Sequence, residues 1–141
     1  MITIRGEAIK DLIPQRDPMI MIDTLYKTTA TEAETGLTIT PDTYFCSEGL
    51  LTEPGLIEHI AQSASAFAGY KTKSANLPPP LGLIGEVKKF RFHFLPRTGD
   101  ELRTHIQILS EMLGVSLLTA VTKVNGKIAV EGQMKIFIQP S

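Results

Sequence analysis

Residues 54–73, with the sequence PGLIEHIAQSASAFAGYKTK, decide the fold that we expect for this chain. Apolar residues recur there at helical spacing, which predicts one amphipathic helix from Pro54 to about Lys73. Its apolar face consists of Leu56, Ile57, Ile60, Ala61, Ala64, Phe67 and Ala68. The inner part is also rich in alanine, serine and glycine, which leave little side chain between the helix and its neighbours. A sheet is therefore expected to wrap closely around this helix.

The segments before the helix predict one short helix and a first pair of strands. Gly6–Ile13 has apolar residues on one helical face, and Pro14 ends the helix because its ring interrupts the hydrogen-bond ladder. Met19–Tyr26 is a compact apolar run, which is typical of a strand buried on both faces. Thr31–Thr40 alternates between apolar and polar residues, so we expect it to pair with the preceding strand in antiparallel orientation.

The segments after the helix predict a loop and a series of strands. Prolines at 78–80 indicate the loop, because they supply no amide donors for regular structure. Alternating patterns predict strands at 83–94, 102–108, 115–124 and 128–138; in the first of them, Phe90, Phe92 and Phe94 share one face. Asn125-Gly126 predicts a type I′ hairpin turn. The expected fold is α+β, a curved antiparallel sheet wrapped around one long central helix.

Length and composition limit the classes of function. The 141 residues fit a single domain covering 1–141. The net charge of −1 makes a nucleic-acid partner unexpected, and the absence of a signal peptide or membrane-length apolar run predicts a soluble cytoplasmic protein without membrane insertion. The only cysteine is Cys46, and no Cys/His cluster has metal-site spacing, so no metal is expected.

Two motifs carry a resemblance to a known family. Residues 12–23, LIPQRDPMIMID, resemble the opening of hotdog-fold 3-hydroxyacyl-acyl-carrier-protein dehydratases, and residues 51–62, LTEPGLIEHIAQ, resemble their helix signature. The spacing between Pro54-Gly55 and Glu58 is closer to that of the related dehydratase-like proteins of aryl polyene biosynthesis. Residues 90–92 and 95–100 also resemble the family. The resemblance covers nearly the whole chain and implies a hotdog fold.

The resemblance implies a reaction that removes water from a 3-hydroxyacyl thioester. In that family a histidine handles the C2 proton and a helix carboxylate works at the 3-hydroxyl, and the two residues come from different subunits. The carboxylate maps onto Glu58 and the histidine onto Gln15. A glutamine amide does not titrate near neutrality, so it cannot act as a general acid or base. That loss removes about 10²–10⁴-fold in rate, which puts full dehydratase activity in question.

The remaining site residues are assigned partly from helix chemistry and partly from the resemblance. Unpaired amides at the helix start, those of Gly55 and Leu56, are candidates to polarise the thioester carbonyl, although helix initiation explains this glycine equally well. The motif also places Gln62 and Arg16 at the substrate. For Arg16 and for Asp23, we expect a mainly structural role in fixing the loop before the first strand.

The three histidines are not expected to replace the missing one. His59 adjoins Glu58, but neighbouring helix residues point about 100° apart, so a Glu58–His59 dyad is not expected. His93 and His105 lie on the polar faces of alternating strands and are expected to be ordinary surface residues.

The sequence leaves three functions open. The first is a (3R)-hydroxyacyl-acyl-carrier-protein dehydratase-like subunit, whose histidine is supplied by an active paralogue. The second is a hotdog acyl-thioesterase that uses Glu58, and the third is a non-catalytic acyl-thioester binding subunit. The expected substrate is a carrier-protein or CoA thioester, without a cofactor. The expected assembly is a homodimer, a higher homo-oligomer or a heterodimer with a paralogue. A basic rim for an acidic carrier protein would consist of Lys71, Lys73, Lys88, Lys89, Arg91 and Arg97.

Overall fold

One long helix lies against a seven-stranded antiparallel sheet. The computed structural model describes residues 3–73 and 75–139. Helix α1 spans Glu53–Lys73, and a 3-10 helix spans Gly6–Asp11. The strands are β1 (Ile4–Arg5), β2 (Thr24–Thr28), β3 (Glu32–Thr38), β4 (Cys46–Ser47), β5 (Leu50–Leu51), β6 (Leu81–Phe92), β7 (Glu101–Met112), β8 (Val115–Val124) and β9 (Lys127–Gln139). Strands β4 and β5 form a separate two-stranded sheet just before the helix.

The large sheet has the order β1-β2-β3-β7-β8-β9-β6. Strand β6 follows the helix in the chain, yet it pairs with β9 at the far edge of the sheet. Helix α1 packs against β2, β3, β6, β7 and β9, so it lies across the width of the sheet. The predicted α+β architecture with one central helix is confirmed.

The helix divides the apolar core into two clusters. Leu56 and Ile60 belong to the larger cluster, which includes residues of β7, β8 and β9. Ala66 and Phe67 belong to the second cluster, where they pack with residues of the N-terminal segment. Each fully buried leucine or isoleucine contributes about 1.5–3 kcal/mol to the free energy of unfolding. The helix is therefore held mainly by tertiary burial.

The N-terminal segment differs from its prediction in two ways. Gly6–Asp11 forms a 3-10 helix rather than the longer helix expected up to Ile13, although Leu12 and Ile13 are buried as the apolar pattern indicates. The strand expected from Met19 begins only at Thr24. Met21 and Ile22 are both buried and enter different core clusters, which explains why this run has the pattern of a strand covered on both faces.

The elements after residue 50 lie close to their predicted positions. The helix begins one residue before Pro54, and the strand predicted at 83–94 runs from Leu81 to Phe92. Phe90 and Phe92 pack against the core, but Phe94 is 37% exposed because the strand has already ended. Asn125 and Gly126 have φ values of 51° and 81°, as a type I′ turn requires.

The ends of the predicted domain lie outside the described residues. Residues 1, 2, 140 and 141, together with residue 74 inside the chain, belong to the predicted 1–141 domain but are not described. Within the described part of the chain, no helix is long and apolar enough to cross a membrane.

We predict that Gly69→Ala lowers the free energy of unfolding by about 1–3 kcal/mol. A Cβ at Gly69 would overlap the backbone carbonyl of Leu12, so the N-terminal segment would have to move away from the helix. Without that overlap, the same change would stabilise a helix by about 1 kcal/mol. Urea unfolding of the wild type and of Gly69→Ala measures the sign of the change in the free energy of unfolding. A stabilised variant would contradict the close packing of Leu12 on Gly69.

Candidate functional site

Gln62 links the helix to the segment that follows the Gln15 loop. Its side chain is fully buried and its amide makes three hydrogen bonds. Oε1 accepts from the Met21 amide at 2.6 Å, and Nε2 donates to the Met19 carbonyl at 2.8 Å. Nε2 also donates to Oε2 of Glu58 at 2.8 Å. Gln62 therefore orients the predicted catalytic carboxylate and holds the backbone of residues 19–21 against the same helical face.

Glu58 lies one helical turn before Gln62 and is partly buried. Its Oε2 atom accepts the hydrogen bond from Gln62, whereas its Oε1 atom has no hydrogen-bond partner among residues 3–73 and 75–139. A carboxylate fixed through one oxygen keeps the other oxygen available for a substrate hydroxyl or a water molecule. This geometry suits proton transfer at an oxygen atom.

His59 points away from Glu58 into the core, as helical geometry predicts. The ring is fully buried, with Nδ1 2.7 Å from the Met21 carbonyl and Nε2 2.7 Å from the Thr104 hydroxyl. A carbonyl only accepts, so Nδ1 carries the proton and Nε2 accepts from Thr104. Thr104 Oγ1 in turn lies 2.7 Å from Thr122 Oγ1, which acts as its donor. This directed chain joins the helix to β7 and β8.

Burial determines the charge state of His59. Loss of water lowers the pKa of this imidazole to about 4, although the Met21 carbonyl and the nearby Asp23 carboxylate oppose the shift. The ring is therefore neutral near pH 7 and both of its nitrogens are engaged. His59 is a structural residue rather than a general base.

Gln15 lies on the loop that follows the 3-10 helix, and Arg16 fixes this loop. The Arg16 guanidinium donates to the carbonyls of Ile13 at 2.8 Å and Gln15 at 2.7 Å. The Gln15 side-chain Oε1 is buried and has no hydrogen-bond partner, the only such side-chain atom in the described part of the chain. Among the described residues, no hydrogen bond joins Gln15 to Glu58 of the same chain. The prediction that Arg16 has a structural role in this loop agrees with these contacts.

The helix start offers one free amide rather than the two expected. The helix begins at Glu53, so the Leu56 amide donates to the Thr52 carbonyl at 3.0 Å as part of the first turn. The predicted donor role of the Leu56 amide is therefore wrong, and the Leu56 side chain is buried in the core. The Gly55 amide has no hydrogen bond within the described residues. A Cβ at Gly55 would also collide with Leu51 and Phe45, so close packing requires glycine here as well.

The other polar residues of the motif have structural partners. Asp23 accepts hydrogen bonds from the Thr24 hydroxyl at 2.8 Å and the Thr38 amide at 2.7 Å, which fixes the entrance to β2. His93 and His105 lie at the surface, where they contact Glu131 and Glu32 at 2.8 Å. All three histidines of the chain are thus engaged away from Glu58.

Five of the six residues of the predicted basic rim, all except Arg97, lie in separate groups. Lys71 and Lys73 lie in one depression at the end of the helix, and Lys89 and Arg91 lie in another on β6. Lys88 contacts Glu86 at 3.5 Å. A docking surface for a carrier protein therefore stays a prediction.

The structural roles of His59 and Gln62 were not predicted from the sequence. His59 lies three residues after Leu56 and four before Ser63, on the buried side of the helix, so helical spacing indicated its burial. Its threonine partners on β7 and β8 carry no such signal, because polar residues alternate along many strands. The bonds from Gln62 to residues 19 and 21 depend on the tertiary structure alone.

We predict that the free energy of unfolding decreases as the pH is lowered, because His59 is buried in its neutral form. In the unfolded chain a histidine has a pKa near 6.5, whereas in the folded protein the pKa of His59 is about 4. The stabilisation is complete above pH 6.5 and is lost as the pH falls towards 4. The full shift corresponds to about 3 kcal/mol, of which about 2 kcal/mol disappears between pH 7 and pH 5.

Urea unfolding at both pH values measures this loss in the wild type, in His59→Gln and in His93→Gln. The His59→Gln variant should lose most of the pH dependence, because the glutamine stays neutral. His93→Gln, which removes an exposed histidine, should retain it. Equal pH dependence in all three proteins would rule out His59 as its source.

Comparisons with known proteins identify the family of this chain. The 3-hydroxyacyl-(acyl-carrier-protein) dehydratase FabZ of Haemophilus influenzae strain PittEE is 26% identical over 139 residues, which cover 93% of this chain and 91% of that protein. The FabZ of Acetivibrio thermocellus is 27% identical over 133 residues, covering 90% of this chain and 89% of that relative.

Among solved structures, the dehydratase heterocomplex ApeI:P from Xenorhabdus doucetiae has a similar fold. Its matching chain has a TM-score of 0.86 and 18% sequence identity, with 94% of this chain and 91% of that chain covered. The hotdog fold expected from the motifs is confirmed by this similarity together with the observed topology. The ApeP-like family model, described as ApeP dehydratase, matches residues 7–141. This protein therefore belongs to the ApeP-like dehydratase family.

Proposed function

We propose that this chain is the histidine-deficient subunit of a dehydratase for 3-hydroxyacyl thioesters. It supplies Glu58 to an active site whose histidine comes from a paralogous subunit. The observation that carries the proposal is the carboxylate of Glu58, which Gln62 holds through Oε2 while Oε1 stays available. Family membership supports the reaction class, and Gln15 distinguishes this subunit from a self-sufficient one.

The positions of the histidines support the need for a partner. His59 is neutral, buried and bonded through both nitrogens, and His93 and His105 lie on the sheet surface beside glutamates. Elimination of water requires a base at C2 of the thioester as well as an acid at the 3-hydroxyl. This chain offers a group for the second task and no free imidazole for the first.

The proposed reaction divides the work between two subunits. The partner's histidine removes the C2 proton while the thioester carbonyl accepts a hydrogen bond from the Gly55 amide. The bond between C3 and the hydroxyl oxygen then breaks, and Glu58, which enters this step as the protonated carboxylic acid, donates the proton that completes the leaving water. The proton taken from C2 stays on the partner's histidine and returns to the Glu58 carboxylate once the water has left, which resets both groups. An amide at a helix start stabilises the negative charge that develops on the carbonyl oxygen.

A two-subunit arrangement gives unequal sites in a heterodimer. One site combines Glu58 of this chain with the histidine of the paralogue, and the other combines Gln15 with the carboxylate of the paralogue. Only the first contains both reactive groups. The similarity in fold to a dehydratase solved as a heterocomplex supports this assembly.

The edge strand β6 is the proposed subunit interface. It spans twelve residues at the edge of the sheet, and four of its large apolar side chains are exposed by 38–45%. These residues are Leu81, Leu83, Ile84 and Val87. A long apolar edge with unpaired backbone groups readily pairs with another strand. Pairing through β6 would bury this surface and extend the sheet into the second subunit.

We predict that the purified chain alone hydrates a crotonyl thioester at background rate, and that Gln15→His raises the rate by about 10²-fold. The imidazole would restore the missing base beside Glu58 of a second copy. Adding Glu58→Gln to this variant should abolish the gain. Gln107→His, which introduces the same side chain at an exposed position of β7, should leave the hydration rate at background.

The same assay with a histidine-bearing paralogue tests the composite site. In the mixture, Glu58→Gln should abolish turnover, whereas Gln15→Ala should leave it nearly unchanged. Turnover by the wild-type chain alone that depends on Glu58 would contradict the proposed deficiency. Release of free acid that depends on Glu58 would instead identify the thioesterase alternative, and ligand binding without turnover in every mixture would identify a non-catalytic subunit.

We predict that Val87→Lys converts the dimeric protein into a monomer, because a charge on the β6 edge would be buried without a partner. Light scattering after size-exclusion chromatography measures the mass. Leu109→Lys is the matched control, since Leu109 is an apolar residue exposed to a similar degree on β7. A monomeric wild type, or equal masses for the two variants, would refute the interface.

A further inference from the structure

A cavity lies beside the later turns of helix α1, away from Glu58. It has a volume of about 340 Å³, within the range of cavities that bind small molecules. The apolar walls come from the helix, the loop that follows it and two strands of the sheet. They comprise Ala64, Phe67, Ala68, Leu77, Ile108 and Ile138.

This cavity is distinct from the site around Glu58. Glu58 and Gln62 do not line it, and its lining helix residues run from Ala64 to Thr72. At about 1.5 Å per residue, these lie roughly 9–21 Å further along the helix axis than Glu58. The alanines at 64 and 68 leave the space that larger residues would fill.

Ser116 places an unpartnered polar group in the cavity wall. The residue is only 8% exposed, and its hydroxyl has no hydrogen-bond partner among residues 3–73 and 75–139. The hydroxyl oxygen opens onto the cavity, so it can donate to an acceptor there. A ligand that brings an oxygen acceptor to Ser116 would gain about 0.5–1.5 kcal/mol from this hydrogen bond.

Lys71 supplies a positive charge at the same cavity. Its side chain is 43% exposed, and its ammonium group donates to the Ala30 carbonyl at 3.2 Å, lies 3.8 Å from Glu111 and lies 4.2 Å from the centre of the Phe67 ring. Glu111 also lines the cavity, and its own side chain is 58% exposed. A long ion pair at a half-exposed position is weak, so an anionic ligand can replace Glu111 beside Lys71.

We propose that this cavity binds a medium-chain carboxylic acid. The alkyl chain occupies the apolar space beside Ala64 and Ala68, and the carboxylate accepts hydrogen bonds from Lys71 and from the Ser116 hydroxyl. An apolar body combined with one acidic group matches a cavity that has apolar walls, one cation and one unpaired hydroxyl. The free acid, rather than a thioester, fits the positive charge of Lys71.

Isothermal titration calorimetry with decanoate tests the site without any turnover, so a silent dehydratase assay does not affect the outcome. One decanoate should bind per chain. Lys71→Met should weaken decanoate binding about two- to fivefold and leave decanol binding unchanged, whereas Lys73→Met, two residues further along, should alter neither. Ser116→Ala should weaken decanoate binding about two- to tenfold.

Two further variants change the cavity in opposite directions. Ala68→Leu fills the apolar space and should weaken binding at least tenfold, while Ala75→Leu, at an exposed position outside the cavity, should leave it unchanged. Glu111→Gln removes the competing carboxylate and should tighten binding. Each of these changes is measured in the same titration.

Three outcomes would overturn the proposal. They are the absence of saturable decanoate binding, binding that Ala68→Leu leaves unchanged, and equal effects of Lys71→Met on decanoate and decanol. A fourth outcome that would overturn it comes from the mixture of this chain with the histidine-bearing paralogue. If Ala68→Leu lowers kcat/KM for a decenoyl thioester but not for a crotonyl thioester, the cavity holds the tail of the substrate instead of a free acid.

Discussion

The site depends on the backbone of Met21, which two side chains of helix α1 hold from both sides. Gln62 accepts the hydrogen bond of the Met21 amide, and His59 donates to the Met21 carbonyl. Because both backbone groups are bonded to the helix, this residue cannot join a strand ladder, and β2 starts later, at Thr24. The same two bonds fix the segment that follows the Gln15 loop against the helix that carries Glu58.

This interaction separates the roles of two adjacent helix residues. Glu58 faces the site with one carboxylate oxygen available, while His59 faces the core and is neutralised by burial. The imidazole next to the carboxylate thus stabilises the fold and takes no proton from substrate. Under the proposed function, Glu58 is the contribution of this chain to the site, and another subunit must bring the base.

The long helix serves different purposes along its length. Its first three turns carry Glu58 and Gln62 at the edge of the site, and its later turns carry small residues that leave an apolar cavity beside Ser116. Gly69 lies in the same later turns, where only glycine allows the backbone of Leu12 to pack directly on the helix. Removing side-chain volume from one helix therefore allows both the close approach of the N-terminal segment and the space for a ligand.

The sequence by itself determined the periodic elements and the family. Helix α1, β8 and the Asn125-Gly126 turn follow from local spacing and turn chemistry, which depend on near neighbours in the chain. The motifs around Glu58 and Gln15 placed the chain among the dehydratases. Tertiary structure alone decided where β2 starts and that Thr104 and Thr122 complete the hydrogen bonding of His59. These features join residues far apart in sequence, so no local pattern encodes them.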